Sequence, residues 1–65
     1  MNTIEANAAY IYLKYPVKEG EAKKTIALND SIILDFDKED KLIGVEVLSA
    51  SRFLSKKVLA DAKPT

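Results

Sequence analysis

Apolar and polar residues alternate along most of the chain, and this pattern predicts four β-strands. An alternation with a period of two is typical of a strand that buries one of its faces. The first such segment is rich in aromatic and branched residues and ends before Pro16, while short stretches of turn-forming or charged residues separate the others. The predicted strands comprise residues 8–15, 24–28, 32–36 and 42–48.

The lengths of two predicted turns indicate the register of the sheet. A three-residue turn at 29–31 and a four-residue turn at 38–41 both place the apolar residues of the last three strands on one face. A one-residue slip in either hairpin would scatter these residues over two faces, so the two turns support each other. The first strand is expected to add Ile11 and Leu13 to the same face. The predicted opposite pairs are Leu28 with Ile32, Ile26 with Leu34, Phe36 with Ile43, Leu34 with Val45, and Ile32 with Val47.

The hydrophobic period lengthens near the C-terminus and predicts one helix over residues 51–62. Its apolar side chains gather on one side of a helical wheel, and Ser49 or Ser51 is the expected N-cap. Lys63 suits the C-terminal end of the helix dipole, and Pro64 ends the helix. Since a helix of about ten residues is unstable alone in water, we expect it to pack on the apolar face of the sheet.

The expected fold is therefore α+β, a four-stranded antiparallel β-meander with one C-terminal α-helix packed on one face. It forms a single small domain over residues 1–65, and the pattern leaves open whether residues 1–5 add an edge strand. The opposite, outer face carries more apolar residues than a solvated face usually does. These are either scattered exposed residues or a surface that a second copy covers. The candidate interaction surface comprises Tyr10, Tyr12, Ile33, Leu42 and Leu48.

The composition limits the chemistry that the chain can perform. None of the 65 residues is Cys or His, so the chain has no disulfide, no thiolate metal site and no imidazole base. A domain of this size buries only about 60% of the surface of its unfolded chain. Disulfides, metals or self-association usually stabilise such domains, and self-association is the one that remains. We therefore expect a homo-oligomer, with a dimer favoured, and neither a cofactor nor a bound metal.

The ten basic and ten acidic side chains cancel. The chain therefore has no overall field that would attract nucleic acid or an anionic membrane. No apolar run approaches the roughly 20 residues that span a bilayer, and the first residues lack the basic-then-apolar order of a signal peptide. We expect a cytoplasmic protein without membrane association.

Two blocks of the sequence resemble a family of very short prokaryotic proteins. Residues 5–13 read EANAAYIYL, and the family opens with an acidic residue, Ala-Asp-Ala-Leu-Tyr-Ile and a further Leu. The second block, IILDFD at 32–37 followed by LIGVEVL at 42–48 and Ala-Ser at 50–51, resembles the family's other hallmark. On these blocks the chain is similar to domain of unknown function 2283. The resemblance implies a β-meander with a C-terminal helical segment, and it implies no established activity and no site residues.

The chain departs from this family at five positions, and two of the departures concern backbone conformation. Asp40 stands where the family has Gly, and Asp tolerates the left-handed turn conformation better than most residues. Ser31 also replaces a common Gly, which leaves the type of that turn open. The other three positions are Asn7 and Ser49, where the family prefers Asp, and Ala9, where it prefers Leu.

Acidic residues cluster between Asp35 and Asp40, and their alternate spacing superficially imitates a calcium loop. Glu46 even follows eleven residues after Asp35, as the last ligand of such a loop would. Asp40, however, occupies the position where the loop needs glycine, and the flanking segments are predicted strands rather than helices. We therefore favour a solvated hairpin turn and predict no metal site.

An acid–base pair is a second candidate chemistry, since Asp35 and Glu46 are expected to be neighbours across the outer face. General acid–base catalysis needs a cleft that raises one pKa and excludes water. A small sheet with one helix offers little concavity, and the sequence has no His, Cys or Gly-rich phosphate loop. We expect no catalytic residue and no enzyme.

Nucleic-acid binding is the alternative function, because Tyr10 and Tyr12 resemble the stacking aromatics of RNA-binding sheets. Acidic residues share the same face, and lysines at a sheet edge also discourage strand-to-strand aggregation, so we favour that simpler explanation. The expected function is a non-enzymatic protein-interaction or self-associating module, for example an antitoxin-like or regulatory partner of another short protein. A small enzyme is a distant alternative. The basic residues considered for nucleic acid are Lys23, Lys24, Arg52, Lys56 and Lys57.

Overall fold

The computed structural model describes residues 1–65 and consists of six β-strands and two short helices. The chain forms one mixed sheet with the helices near its C-terminus, which is a mostly β version of the predicted α+β class. In chain order the elements are β1 Asn2–Glu5, β2 Ala8–Tyr12, β3 Lys24–Ala27, β4 Ile32–Phe36, β5 Leu42–Leu48, α1 Ala50–Phe53, α2 Lys56–Asp61 and β6 Lys63–Pro64.

The strand order is β3-β4-β5-β2-β1-β6, and the predicted four-strand meander is wrong at one connection. β2 does not pair with β3; it lies between β1 and β5, antiparallel to both. A tight turn at 6–7 joins β1 to β2 locally, whereas residues 13–23 form a long connection that leads to β3 at the sheet edge. Because so long a connection fixes no neighbour, only the three strands β3, β4 and β5 follow the meander order.

The two ends of the chain extend the sheet beyond the four predicted strands. Residues 1–5, left open by the sequence, contain β1, which is an interior strand. Lys63 and Pro64 do not end a helix as predicted; they form β6, which pairs parallel with Thr3 and Ile4 of β1. The backbone amide of Thr65 donates to the Ile4 carbonyl at 3.0 Å, so the C-terminal residues tie down the edge of β1.

The predicted register is confirmed in the β3-β4-β5 meander except at one end. Ile26 lies opposite Leu34, and Leu34 lies opposite Val45. At the start of β5, Phe36 pairs with Leu42 and not with Ile43, because a β-bulge shifts the register after Asp35. The remaining predicted pairs are also present: Ile32 lies opposite Val47, and the Leu28 amide donates to the Ile32 carbonyl at 2.8 Å.

β2 and β3 each end earlier in the chain than predicted. β2 stops at Tyr12, since the amides of Leu13 and Lys14 both donate to the Ile43 carbonyl, at 3.0 and 3.3 Å, and the regular ladder cannot continue. β3 ends at Ala27, one residue before the predicted end, where the chain enters the turn to β4.

The single helix predicted over residues 51–62 is wrong, because the chain breaks into α1 and α2. Leu54 adopts an extended conformation, with φ −107° and ψ 144°. Ser55 follows as the N-cap of α2, and its side chain accepts a hydrogen bond from the Val58 amide at 3.2 Å. A serine that caps a new helix competes with continuation of the old one, so each segment is only one or two turns long.

The side chain of Asn7 caps α1. Ser49 and Ser51, the two predicted N-caps, do not. Ser49 occupies the N-cap position in a left-handed conformation, and its side chain makes no cap hydrogen bond. Asn7, in the β1–β2 turn, accepts from the Ser51 amide through Oδ1 at 3.0 Å and donates from Nδ2 to Ser51 Oγ at 3.0 Å. Its backbone carbonyl accepts from the Ala50 amide at 2.8 Å. The turn between two strands therefore supplies the partners that the first amides of a helix need.

The buried core lies at the β1-β2-β5 end of the sheet, under the helices. It is centred on Ala9, Val47 and Ala50, which expose 3% of their surface or less. No residue of β3 or β4 belongs to this cluster, so the helical layer covers only part of the apolar face. The side chains packed against its centre are Ile4, Ile11, Val45, Leu54 and Leu59.

Candidate interaction surfaces

A chain of polar contacts crosses four strands of the outer face. The Tyr10 hydroxyl of β2 donates to Asp35 Oδ2 of β4 at 2.8 Å, and the Thr25 hydroxyl of β3 donates to Asp35 Oδ1 at 2.8 Å. Tyr10 reaches β4 by passing directly over Gly44 of β5. A Cβ atom on Gly44 would lie 2.0 Å from the Tyr10 hydroxyl oxygen and 2.4 Å from Cζ, so only glycine leaves room for this ring.

This contact changes the acidity of Tyr10. Burial of the ring, and then the hydrogen bond to the Asp35 carboxylate, raise the pKa of the Tyr10 hydroxyl well above its usual value of 10.0. The hydroxyl therefore stays protonated and acts as a fixed donor. It is a structural link between β2 and β4.

Four residues of the candidate interaction surface, Tyr10, Tyr12, Ile33 and Leu48, lie on this face, whereas the β-bulge places Leu42 opposite Phe36. Tyr12 packs edge-on between Tyr10 and Tyr15, with ring centroids 4.7 and 5.1 Å apart. Ile33 and Leu48 are half-buried, and of the five only Leu42 is more than a third exposed, at 39%. No contact in the structure tests whether the surface binds a partner, so its role stays a prediction.

A second apolar surface lies on the inner face, where the sequence predicted a covering helix. Its strand β3 is exposed along its whole length, and Ile26 and Leu28 expose 43% and 66% of their surface. We call this surface the bare face, and it comprises the apolar inner-face side chains of the β3–β4 hairpin: Ile26, Leu28, Ile32, Leu34 and Phe36. Lys24 lies on the same side of β3, opposite Phe36, and borders the bare face.

The sequence contained a signal for the bare face that the helix prediction passed over. An α-helix with its side chains is about 10–12 Å wide, and neighbouring strands are about 4.8 Å apart. One short helix therefore covers two or three strands and cannot cover a wider sheet. The helices pack on β1, β2 and β5, whereas β3 is exposed along its length and β4 is only half-buried.

The acidic residues of the predicted turn do not converge on a common point. Asp37 closes the turn, since its Oδ1 accepts from the amides of Glu39 at 2.8 Å and Lys41 at 3.0 Å. These hydrogen bonds from backbone amides lower the pKa of Asp37 below its usual value of 3.8, and the bond from Lys41 has the largest effect. Asp35 instead bonds to Tyr10 across the outer face. No three His, Cys, Asp or Glu residues are grouped so as to hold a metal ion.

Asp40 adopts the left-handed conformation that its place in the turn requires. Its φ is 61°, so the reasoning from the family's glycine at this position is confirmed. The Asp40 amide donates to the Asp37 carbonyl at 3.0 Å, and the Asp37 amide donates to the Lys41 carbonyl at 2.9 Å. The turn thus satisfies its backbone groups internally, as a solvated hairpin turn does.

Two shallow concavities lie outside the bare face. One, of about 340 Å³, lies on the β1-β2-β5 end, and the Glu5 carboxylate there accepts from the Thr65 hydroxyl at 3.1 Å. The other, of about 320 Å³, is lined only by polar side chains beside the long connection. There Glu21 forms an ion pair with Lys14, and this hydrogen bond lowers the pKa of Glu21 and raises that of Lys14.

The basic residues considered for nucleic acid fall in separate parts of the molecule. Lys23 and Lys24 lie at the β3 edge, and Lys24 is paired with Asp40 at 2.9 Å and lies 5.3 Å from the centre of the Phe36 ring. Arg52 in α1 and the two lysines at the start of α2 lie in the helical segment, which packs at the other end of the sheet. No helix is long and apolar enough to cross a membrane.

The fold and these surfaces define a small, mostly β domain of the α+β class. Residues 5–51 match the family model described as Protein of unknown function (DUF2283), and the chain belongs to this family. The matched segment runs from the end of β1 through the cap of α1, so it contains both Asn7 and the bare face. No curated protein and no solved structure matches the chain.

Proposed function

We propose that this domain is a non-enzymatic protein-interaction module and that the bare face is its binding surface. The observation that carries the proposal is the missing second layer over β3 and β4. Stable domains bury the apolar face of a sheet against another layer, and contiguous exposed apolar patches mark interaction sites in monomeric proteins. Here Ile26 and Leu28 are exposed beside half-buried neighbours of the same face.

The polar groups of the chain support a binding role more than a catalytic one. The two carboxylates with shifted pKa values, Glu21 and Asp37, have them lowered, whereas a general acid at neutral pH needs a raised pKa. Asp35 is held by two hydroxyl donors. These contacts fix the shape of the sheet and its turns.

The tyrosines likewise favour a protein-binding module over a nucleic-acid-binding sheet. Tyr10 lies over Gly44 with its hydroxyl bonded to an aspartate, and Tyr12 packs edge-on against it. Bases stack on the open faces of aromatic rings, beside cations that neutralise phosphate. On this surface the Asp35 carboxylate, and not a cation, lies beside the Tyr10 ring, and a carboxylate repels phosphate.

A photo-crosslinking amino acid placed at Leu28 tests the proposal inside cells. We expect covalent adducts with a protein chain, either a second copy or another protein, because Leu28 is 66% exposed on the bare face. The matched control is the same amino acid at Lys38, an exposed position in the acidic turn. Adducts at Leu28 that are no more abundant than those at Lys38 would contradict the proposed function.

A further inference from the structure

We infer that the occupant of the bare face is a second copy of this chain, which packs its own bare face against the first in a two-fold dimer. This inference rests on the proposed function and names the partner. The two β3–β4 hairpins would then form a small sandwich beside the helical layers. Sheets pack about 10 Å apart, so the second hairpin would lie about 10 Å above the first, beside the helices.

The chain exposes more surface than a folded monomer of its mass usually does. A folded monomer of 7.2 kDa exposes about 4,100 Å² by the general scaling with mass. This chain exposes 4647 Å². The excess is about 500 Å² per chain, or about 1,000 Å² for a pair, which is the lower limit for a specific interface. An interface of this size is typical of a weak dimer that dissociates on dilution.

The chemistry of the bare face is self-complementary, as a two-fold interface requires. Its five side chains are all apolar, and Lys24 is the one charged residue on the same side of β3. The nearest cation, Lys24, is paired with Asp40 and lies over the Phe36 ring at the rim. Two copies therefore meet without a buried unpaired charge.

Pairing through the free edge of β3 is the competing arrangement, and two features disfavour it. β3 has only four residues, and Lys23 and Lys24 lie at its start. Short edge strands and lysines are the means by which proteins prevent edge-to-edge pairing. The outer face is also a poor alternative, since the Tyr10–Asp35–Thr25 contacts place polar groups at its centre.

Lysine substitutions on the two sides of β3 test this arrangement. Ile26→Lys puts a charge on the bare face, and Ala27→Lys puts the same charge on the outer face one residue away. By sedimentation equilibrium over a dilution series, we expect wild type and Ala27→Lys to dimerise alike. Ile26→Lys should weaken the dimer at least about tenfold, because like charges would meet in an apolar interface. Leu28→Lys, at a 66% exposed position, provides a second variant if Ile26→Lys does not fold.

Each other outcome overturns the face-to-face dimer in a different way. Dimers of equal strength for all the variants would indicate edge pairing, whose main-chain bonds tolerate either lysine. Loss of the dimer in Ala27→Lys alone would indicate the outer face. A wild-type chain that stays monomeric up to about 1 mM, where even weak interfaces associate, would exclude a second copy. The proposed function would then stand only if Leu28 crosslinks to another protein in cells.

Discussion

The contact between Tyr10 and Gly44 shows how one small residue determines the arrangement of several larger ones. The Tyr10 ring crosses β5 at Gly44 and delivers its hydroxyl to Asp35 two strands away. Asp35 in turn accepts from Thr25 at the sheet edge. The outer face is thereby tied together by side chains in addition to its main-chain ladder.

Gly44→Ala should destabilise the domain by about 1–3 kcal/mol, because the new methyl group would overpack the site and displace the Tyr10 ring from Asp35. Urea unfolding measures this cost. The comparison is the same substitution in a Tyr10→Val background, where no ring lies over position 44 and the cost should be much smaller. Equal costs in both backgrounds would show that the ring does not occupy this position.

Asp37 should make the stability of the domain depend on pH. Its pKa is lowered in the folded state by backbone hydrogen bonds, so its contribution is present above the ordinary value of 3.8. It is lost as the pH falls through the lower folded pKa. Asp37→Asn should therefore show a shallower loss of stability on acidification, measured by urea midpoints from about pH 7 to pH 2. An unchanged slope in Asp37→Asn would contradict the prediction.

At the scale of elements, the β1–β2 turn holds the first helix. Asn7 bonds to the backbone and side chain of Ser51, 44 residues along the chain. Asn7→Ala should cost about 0.5–2 kcal/mol in the free energy of unfolding, which is the usual cost of losing an N-cap. Asn7→Asp keeps the acceptor oxygen and should retain most of the stability. Thermal or urea unfolding distinguishes the two, and equal destabilisation by both substitutions would show that capping is not the role of Asn7.

The sequence predicted the positions of the strands better than the order in which they pair. The turns on either side of β4 fixed the register from Ile26 to Val47, because short hairpins leave few alternatives. The position of β2 was wrong, since residues 13–23 connect it to β3 without fixing which strands pair. The break at Leu54 was also missed, because the apolar pattern of one helix continues through a serine that caps another.

The candidate site was predicted only in part, because one helix is narrower than the sheet. Strand alternation placed Tyr10, Tyr12, Ile33 and Leu48 on one face, but it could not foresee the bulge that puts Leu42 opposite Phe36. The bare face was missed because the helix was expected to pack on the apolar face, and the number of strands that it could cover was not considered. Predicting the bare face requires comparing the width of one helix with the width of the predicted sheet, in addition to the pattern of apolar residues.

At the scale of the whole molecule, the small core and the bare face have the same origin. Only 6 of 65 residues are buried, and no large side chain is fully buried. The apolar side chains of β3 and β4 take no part in the core cluster, so the chain leaves part of its hydrophobic stabilisation unused. A second copy would supply that burial, and the strength of the fold would then depend on protein concentration.

The most direct test is the protection of a cysteine on the bare face as protein concentration rises. Wild type has no Cys, so Leu28→Cys and Ala27→Cys each offer one thiol, on the inner and the outer side of neighbouring positions. We expect both thiols to react with a maleimide at similar rates in dilute solution. At high concentration the reaction at position 28 should slow in proportion to dimer formation, while that at position 27 should not change. A rate at position 28 that is independent of concentration, or protection at position 27 instead, would contradict the account.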